Sequence, residues 1–364
     1  MNKKSLLLSF LWLLVTATVV SASPGNTLIP EGDQYYYPSI HPDRVVATVT
    51  ETAATSIAIN WRTEPSVTVA QAQITVAKSS PALDLTRNLV DGTSQVVEGH
   101  NGAARYHSVT FTDLEPATLY AYRVRGGGTW SEWFQIETAS EAAQPFSFLY
   151  FGDAQNAVKS HFSRLIRQAF KDKPNASLMV HAGDLVNSRA GNHDNEWGEW
   201  FDAGKWLYGM IPSVPAAGNH EHVKVQHDDG SESYVLPENW YAQFSVPKNG
   251  PEKLKGSVYY FDFQGVRFIV LNSASALQGT AELQARWLEG ALMNNPNRWT
   301  VAVYHHPMFS VSLGRDNPLL RQHWKPLFDK YGVDLALQGH DHTYGRGTNN
   351  EGTGTHVADI AEGT

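Results

Sequence analysis

The sequence predicts an all-β sandwich followed by an α/β domain, and three observations support this fold class. The 364 residues are more than one hydrophobic core usually serves. Short alternating strands separated by polar turns fill the first part of the chain, and strands alternate with helical patterns in the second. The 42% content of hydrophobic residues is that of a globular protein, which excludes disordered and collagen-like classes.

The N-terminal residues have the pattern of a secretory signal peptide. Two lysines precede the apolar residues 6–20, and small residues lead up to Ala22. This apolar stretch is shorter than the roughly 20 residues that span a membrane. We therefore expect a signal peptide over 1–22 that is cleaved after Ala22, and then an extended lead-in over 23–43. The expected protein is secreted or periplasmic and has no stable membrane anchor.

The amino-acid composition limits the kinds of site and partner that this protein can have. The chain contains no cysteine and has a formal net charge of -8. Without cysteine, disulfides, thiolate zinc sites and cysteine nucleophiles are excluded. An acidic chain gains no general electrostatic help with polyanions, so nucleic acid is not expected as a main partner. Any metal site must use His, Asp, Glu, Asn or Gln, and the chain has 15 His and 36 acidic residues.

Residues 44–140 are expected to form the all-β sandwich. Strands are predicted over 45–49, 56–61, 71–76, 106–111, 119–125 and 133–138. Trp61, which we expect to be buried, and the Leu-x-Pro-x-Thr-x-Tyr-x-Tyr segment at 114–122 resemble a fibronectin type III sandwich. This domain has no cluster of catalytic residue types, so we expect it to be a scaffold or a wall of the substrate cleft.

Residues 145–364 are expected to form the α/β domain. Strands are predicted over 146–151, 177–182, 213–217, 258–263, 266–272, 299–304 and 333–337, and helices over 158–171, 196–208, 281–293 and 319–330. Phe162, Leu165, Ile166 and Phe170 are expected to share the buried face of the first helix. In such a sandwich, ligands bind at the carboxyl ends of the strands.

Residues that can bind metals follow several of the predicted strands. They are Asp153, Asp184, Asn219-His220-Glu221, His305-His306 and His340-Asp341-His342. Their oxygen and nitrogen donors suit Zn, Mn or Fe rather than a soft-metal site. Acids and imidazoles that converge on one sheet edge indicate two cations that share a bridging carboxylate.

These residues resemble the blocks of the metallophosphoesterase (calcineurin-like) superfamily, which run G-D, G-D, G-N-H-[DE], H and G-H-x-H. All five blocks are present in order, at 152–153, 183–184, 218–221, 305 and 339–342. With the preceding sandwich, the chain resembles purple acid phosphatases over residues 44–346. The resemblance implies a four-layer α/β (α+β) sandwich and two divalent or mixed-valence metal ions, of Fe, Zn or Mn.

The resemblance also implies a role for each block. The first metal would be held by Asp153, Asp184 and His342, and the second by the bridging Asp184 with Asn219, His305 and His340. His220 would protonate the leaving oxygen, and Glu221 would hold its loop in place. The implied reaction is hydrolysis of a small-molecule phosphate monoester, in one in-line step, by water that the metals activate.

Two positions depart from the family pattern. Asn187 stands where purple acid phosphatases have the tyrosine that ligates ferric iron and gives the colour. Gln155 stands where many members of the superfamily have a ligand histidine. Either amide could supply a weak oxygen ligand or hold a water. We therefore do not expect a purple protein, and we expect a first site that is less anionic and prefers a divalent ion.

The G-N-H-[DE] pattern occurs twice, at 191–194 (the upstream copy) and at 218–221 (the downstream copy). The upstream copy follows Asp184 with no apolar strand between them that could carry it back to the sheet edge. The downstream copy follows residues 211–217, which can form such a strand. We therefore assign the metal block to the downstream copy and expect His193 to be a loop residue near the cleft.

Four further residues are candidates for substrate binding: His222, His306, Arg315 and Arg346. His222 could line the pocket or be a solvated loop residue. His306 follows the ligand His305 and would point the other way if the chain is still extended there. Either arginine could contact phosphate or form a surface salt bridge.

These residues are also compatible with two other functions, and they do not determine the oligomeric state. One is a phosphodiesterase or nucleotide hydrolase that uses the same metal centre. The other is a secreted binding protein that has kept the fold and lost catalysis, against which the full set of ligand residues argues. The chain ends at Thr364, where related domains continue with further strands. A truncated or unusually short domain is therefore expected.

Overall fold

The computed structural model describes residues 27–30, 32–188, 193–349 and 356–361, so the expected signal peptide lies outside the described residues. Within these ranges the chain forms an all-β domain followed by a mixed α/β domain, which confirms the predicted fold class. No helix in the described ranges is long and apolar enough to cross a membrane.

The N-terminal domain is a sandwich of two antiparallel sheets. Its strands are β1 (Asp43–Thr48), β2 (Ile57–Thr63), β3 (Gln71–Val76), β4 (Asn88–Asp91), β5 (Thr93–Gly99), β6 (Gly102–Phe111), β7 (Leu119–Val124) and β8 (Phe134–Glu137), with a 3-10 turn at Leu83–Leu85. One sheet has the order β5-β6-β2-β1 and the other β4-β3-β7-β8. Trp61 is buried between them as predicted, and its indole N–H donates to the carbonyl oxygen of Arg125 at 2.9 Å.

The α/β domain supplies the remaining elements. Its strands are β9 (Ser147–Phe151), β10 (Ala176–Ala182), β11 (Ser213–Ala216), β12 (Val223–Gln226), β13 (Glu232–Val235), β14 (Tyr259–Phe263), β15 (Val266–Val270), β16 (Trp299–Val303), β17 (Leu335–Leu337), β18 (Tyr344–Asn349) and β19 (His356–Ala361). Its helices are α1 (Ser163–Asp172), α2 (Asp194–Gly204), α3 (Trp206–Met210), α4 (Glu238–Gln243), α5 (Ser273–Ser275), α6 (Ala281–Met293) and α7 (Pro318–Tyr331), with short turns at Val158–Phe162, Glu252–Leu254 and Ala276–Thr280.

Two sheets packed face to face form the centre of the α/β domain. One contains the parallel strands β11-β10-β9, and the other has the order β14-β15-β16-β17. Alternation along β15 shows the layering, since Phe268 and Val270 join the core between the sheets while Ile269 joins the core with α6 and α7. Helices α1 to α3 cover the outer face of the first sheet, which gives the expected four layers.

The first sheet does not stop at the domain boundary. Strand β1 pairs in parallel with β11 at Thr48 and Ser213, which makes one sheet with the order β5-β6-β2-β1-β11-β10-β9. Side chains reinforce this junction: the Thr48 hydroxyl donates to the carbonyl oxygen of Ser245 at 2.6 Å, and the Tyr122 hydroxyl donates to that of Gly209 at 2.6 Å.

Two details of the predicted helices were wrong. The helix expected over 196–208 is two helices, α2 and α3, because Lys205 breaks the run with a φ of 44°. In the first helical segment Phe162 and Ile166 are buried, but Leu165 is 55% exposed. Only one narrow stripe of that segment faces the sheet, and Leu165 lies beside it rather than on it.

Candidate metal centre

The first two ligand loops leave neighbouring parallel strands at the same edge of the sheet. Asp153 follows β9 and Asp184 follows β10, and both have positive φ, at 40° and 52°. The N–H of Asp153 donates to the carbonyl oxygen of Gly183 at 3.2 Å, which fixes the two loops side by side. Asp153, Asp184 and His305 each offer a ligand atom, and these atoms lie within 4.8 Å of one another.

A second group of potential ligand atoms surrounds the fully buried His305. Its Nδ1 lies 2.9 Å from the carbonyl oxygen of Ala182, so Nδ1 carries the hydrogen. The Nε2 atom faces three further lone-pair donors, at 3.0 Å from Asp184 Oδ2, 3.1 Å from Asn219 Oδ1 and 3.3 Å from His340 Nδ1. Four such atoms around one point are complementary to a cation. Although burial lowers the pKa of His305, Asp184 beside it raises that pKa to about 9, so a proton can take the place of a cation there.

The first loop also offers unused ligand atoms. Within the described part of the chain, the buried Asp153 Oδ1 and Gln155 Oε1 have no hydrogen-bond partner. Asp153 Oδ1 lies 3.6 Å from His342 Nε2, and the Gln155 amide nitrogen lies 3.2 Å from the same atom. Buried polar atoms without partners are costly, and a cation between the Asp153 carboxylate and the His342 imidazole would satisfy Asp153 Oδ1. With its amide turned by about 180°, Gln155 would bring its oxygen to the same place. The residues present therefore fit the predicted metal pair.

Two glycines explain why the blocks begin as they do. Gly183 has a φ of +89°, and a Cβ on it would stand 2.6 Å from His305 Nδ1. A Cβ on Gly339 would stand 2.5 Å from Asp153 Oδ2. A side chain at either position would therefore push apart loops that must touch for their ligand atoms to converge.

Glu221 ties two ligand loops together. Its buried carboxylate accepts backbone N–H groups from Asp184 at 2.9 Å, Leu185 at 2.7 Å and Gly218 at 2.7 Å, with a longer contact to Val186 at 3.4 Å. Burial and the charge of Asp184 raise the pKa of Glu221 to about 7, against the opposing effect of its backbone donors. The side chain stands behind the ligands and fixes the separation of their loops.

His220 is oriented by two backbone contacts. Its own N–H donates to Asp184 Oδ1 at 2.8 Å, and its Nδ1 contacts the carbonyl oxygen of Asn187. A carbonyl can only accept, so Nδ1 carries a hydrogen. The Nε2 atom lies 3.9 Å from Asp184 Oδ2 in a partly exposed position. It is therefore the ring nitrogen that can exchange a proton with a bound molecule.

The predicted substrate-binding histidines lie next to the ligands. His222 is buried, with Nδ1 at 2.7 Å from the carbonyl oxygen of Gly218 and Nε2 at 3.2 Å from the Asn272 amide nitrogen. Because the Asn272 oxygen accepts the N–H of Ser275, its amide nitrogen must be the donor to His222. His222 is thus a neutral Nδ1–H tautomer, and burial lowers its pKa.

His306 lies on the ligand side of the strand end, which differs from the expectation for an extended chain. The chain bends at His305 and His306, and the His306 ring lies 4.3 Å from that of His340. His305, His306 and His340 form a second group whose ligand atoms lie within 4.8 Å of one another. The Ser273 hydroxyl accepts the N–H of His306 at 2.8 Å and contacts its Nδ1 at 3.0 Å, which holds the ring in place.

The two candidate arginines differ in position. The exposed Arg315 donates to the carbonyl oxygen of His340, so its guanidinium stands beside the last ligand loop. Arg346 lies on β18 with an exposed side chain. The backbone of Asn187 makes two contacts, since its N–H donates to Glu196 Oε2 at 2.7 Å and its carbonyl oxygen contacts His220. A ligand role for the Asn187 side chain stays a prediction.

The upstream copy of the G-N-H-[DE] pattern has other partners. Its first two residues lie outside the described residues, and His193 begins α2 by accepting the N–H of Glu196 on Nδ1 at 3.4 Å. The His193 ring stacks on His100 at 4.7 Å. Asp194 pairs with Arg44 at 3.0 Å and Arg62 at 3.4 Å, both from the N-terminal domain.

Sequence reasoning missed the pocket beside the metal ligands. A cavity of about 590 Å³ is lined by Asn219, His222, Glu232, Tyr234, Ala274 and Gln278. Two of these residues, Glu232 and Tyr234, lie on β13 of the β12–β13 hairpin, which was not predicted. The turn residues Asp229-Gly230, between two short alternating runs, are the sequence signal that could have found it.

Comparison with known proteins agrees with this geometry. Residues 42–138 match the family model for the purple acid phosphatase N-terminal domain, and residues 146–344 match that for calcineurin-like phosphoesterases. An uncharacterized protein of Mycobacterium tuberculosis is 28% identical over 329 residues, which cover 81% of this chain and 60% of that protein. The Fe(3+)-Zn(2+) purple acid phosphatase 12 of Arabidopsis thaliana is 28% identical over 274 residues, covering 72% and 56%.

The chain thus spans 56–60% of the length of these two relatives. The solved structure of PhoD superposes with a TM-score of 0.60 at 12% identity, covering 85% of this chain and 73% of that one. At that identity the similarity shows a common fold.

Proposed function

The chain belongs to the calcineurin-like phosphoesterase family, and from this premise we propose that it is a dinuclear-metal phosphatase that hydrolyses phosphate monoesters. The observation that carries the proposal is the convergence of carboxylate, amide and imidazole ligand atoms at one sheet edge. Asp153, His342 and Gln155 would hold one ion, Asn219, His305 and His340 the other, and Asp184 both. Bound cations supply polarisation of the phosphoryl oxygens and activation of the attacking water.

The chain's own residues perform the rest of the reaction. His220 holds its Nδ1 hydrogen on the Asn187 carbonyl and presents Nε2 toward the centre. His220 acts in its imidazolium form: when the ester P–O bond breaks, the Nε2 proton passes to the departing oxygen and gives a neutral alcohol, and the ring keeps its Nδ1 hydrogen. The attacking water releases a proton to solvent, and its oxygen becomes part of the released phosphate. Glu221 keeps the two ligand loops at a fixed separation throughout.

The substrate we propose is a small phosphate monoester. The guanidinium of Arg315 lies beside the His340 loop, and with two bound cations it would compensate the charge of a phosphate dianion in a chain that is acidic as a whole. The cavity beside Asn219 and His222 is large enough for the organic part of such an ester. The amides Asn187 and Gln155 favour divalent Zn, Mn or Fe over ferric iron, so we propose an enzyme that is not purple.

We also propose that the protein is secreted or periplasmic after removal of residues 1–22, on the evidence of the N-terminal pattern. N-terminal sequencing of the protein recovered from the culture medium or periplasm tests this, with Ser23 as the expected first residue. An intact Met1 on the mature protein would contradict it.

The enzyme proposal is tested with metal analysis and two synthetic esters. We expect about two divalent ions per chain, faster hydrolysis of p-nitrophenyl phosphate than of its bis-ester, and loss of both activities after chelation. Faster hydrolysis of the bis-ester would favour the phosphodiesterase alternative. No hydrolysis of either ester with Zn, Mn or Fe would indicate a binding protein instead.

A further inference from the structure

Glu196, on the first turn of α2, contacts the backbone of a ligand loop. Its side chain is buried, and its Oε2 accepts the N–H of Asn187 and the N–H of Ser188, both at 2.7 Å. Hydrogen bonds from backbone N–H groups to a carboxylate are strong ones. None of the roles proposed for the metal ligands, His220 or Glu221 uses this residue.

The second of these bonds fixes the orientation of one peptide group. The N–H of Ser188 and the carbonyl of Asn187 belong to the same planar trans peptide, so they point in opposite directions. The N–H of this peptide donates to Glu196, and its carbonyl oxygen accepts the Nδ1 hydrogen of His220. If the peptide rotated, the His220 ring would lose this hydrogen bond.

The helix that carries Glu196 is itself anchored to the N-terminal domain. Asp194, two residues earlier, is buried and pairs with Arg44, whose second nitrogen donates to the Asp194 carbonyl oxygen at 2.9 Å. Arg62 approaches the same carboxylate at 3.4 Å, and the N–H of Asn101 donates to its other oxygen at 3.1 Å. The first turn of α2 therefore has one set of bonds to the sandwich and another to the ligand loop.

We propose that Glu196 is a positioning residue, which aims the Nε2 atom of His220 by fixing the Asn187–Ser188 peptide. The N-terminal domain takes part in this through its arginine contacts with Asp194. The catalytic consequence rests on the proposed function, because it requires that His220 protonates the leaving group. The geometric consequence, a fixed Nδ1–H of His220, does not require catalysis.

Glu199 provides a matched control on the same helix. It is also buried, and its carboxylate accepts the Thr27 hydroxyl at 2.8 Å and the N–H of Leu28 at 2.5 Å, in the lead-in segment. We would compare Glu196→Ala and Glu196→Gln with Glu199→Ala and Glu199→Gln. Gln keeps a neutral acceptor oxygen, so Glu196→Gln should retain part of the effect, and it tests the proposal if Glu196→Ala does not fold.

The first measurement is of the His220 ring nitrogens, by NMR of histidine-labelled protein loaded with Zn(II), with His220→Asn for assignment. In the wild type we expect a protonated, hydrogen-bonded Nδ1. This signal should shift or broaden in Glu196→Ala, shift less in Glu196→Gln and stay unchanged in both Glu199 variants. An unchanged His220 signal in Glu196→Ala, or an equal change in the Glu199 variants, would overturn the proposal.

The second measurement is leaving-group dependence. Phenyl phosphate needs protonation of its leaving oxygen, whereas 2,4-dinitrophenyl phosphate does not. For Glu196→Ala, kcat on phenyl phosphate should fall by at least about tenfold, with a change of about twofold or less on the dinitrophenyl ester. Equal losses on both esters would overturn the catalytic part of the proposal. If neither ester is hydrolysed by the wild type while the His220 signal still responds to Glu196, the proposed function fails and the positioning role stands.

Discussion

The two copies of the G-N-H-[DE] pattern end in carboxylates with very different partners. In the upstream copy, Asp194 faces two arginines of the N-terminal domain. In the downstream copy, Glu221 faces the backbone N–H groups of the ligand loops, among them those of Asp184 and Gly218. One carboxylate joins two domains, and the other joins two loops of a metal centre.

The difference shows that the element attached to a motif decides its role. The downstream copy follows β11, whose carboxyl end lies beside those of β9 and β10. The upstream copy leads into α2, so its histidine becomes a helix cap. Arg44 and Arg62 place full positive charges against Asp194, whereas the Glu221 carboxylate accepts hydrogen bonds from the peptide N–H groups of two loops.

The largest difference between the two copies is expected when their histidines are replaced in turn. We expect His220→Ala to lower kcat on p-nitrophenyl phosphate by about 10²–10⁴-fold, since a proton donor is lost. His193→Ala should leave kcat unchanged, because His193 contacts α2 and His100. Metal content, measured in parallel, should be the same in both variants. Loss of metal in His220→Ala would show that the residue is a ligand.

A smaller effect is expected on stability when Asp194 is changed. Asp194→Asn leaves Arg44 buried without its charge partner, and removing one member of a buried ion pair costs about 3–5 kcal/mol. We expect the free energy of unfolding in urea to fall toward the lower end of that range, since Arg62 keeps its bidentate contact with Asp43. A change below about 1 kcal/mol would mean that these arginines behave like surface residues.

Glu221→Gln should weaken metal binding rather than folding. The amide nitrogen would meet backbone donors, so the ligand loops would separate, and changes behind the ligands typically cost about 10–100-fold in metal affinity. A Zn(II) competition titration measures this. Asp194→Asn is the control and should bind Zn(II) as the wild type does. Equal weakening in both variants would mean that the domain junction and the metal centre are not separable.

The smallest effect is expected at the helix cap. His193→Ala removes the acceptor for the N–H of Glu196, and loss of an N-cap costs about 1 kcal/mol. His193→Ser restores an acceptor and should recover most of that loss in the same urea titration. No difference between the two variants would show that stacking on His100, not capping, is what His193 contributes.

The sequence alone predicted which loops converge at the sheet edge, because the signals for these loops are local. An apolar strand that ends in Gly-Asp, as at Asp153 and Asp184, carries both the position and the chemistry in a few residues. The choice of the downstream copy likewise needed only the apolar run that became β11. These features depend on neighbours in the chain, which a sequence pattern can represent.

The features that the sequence did not predict depend on contacts between residues that are distant in the chain. Strands β4 and β5 were missed because most of their residues are exposed, so they lack alternating hydrophobic residues. The roles of Asp194 and Glu196 could not be predicted, since Arg44 and the Asn187 loop reach them only in the folded chain. The side to which His306 points was predicted only for an extended chain, and the bend that follows β16 was not predicted.

The pairing of β1 with β11 bears on how this chain can melt and how its parts can be exchanged. A ladder that runs unbroken from β5 to β9 links the all-β and α/β regions through backbone bonds as well as packing. Calorimetry should therefore record one cooperative transition for both regions. If the N-terminal region were replaced by that of a relative, the new region would need a strand that pairs in register with Ser213. It would also need a surface complementary to the α/β domain.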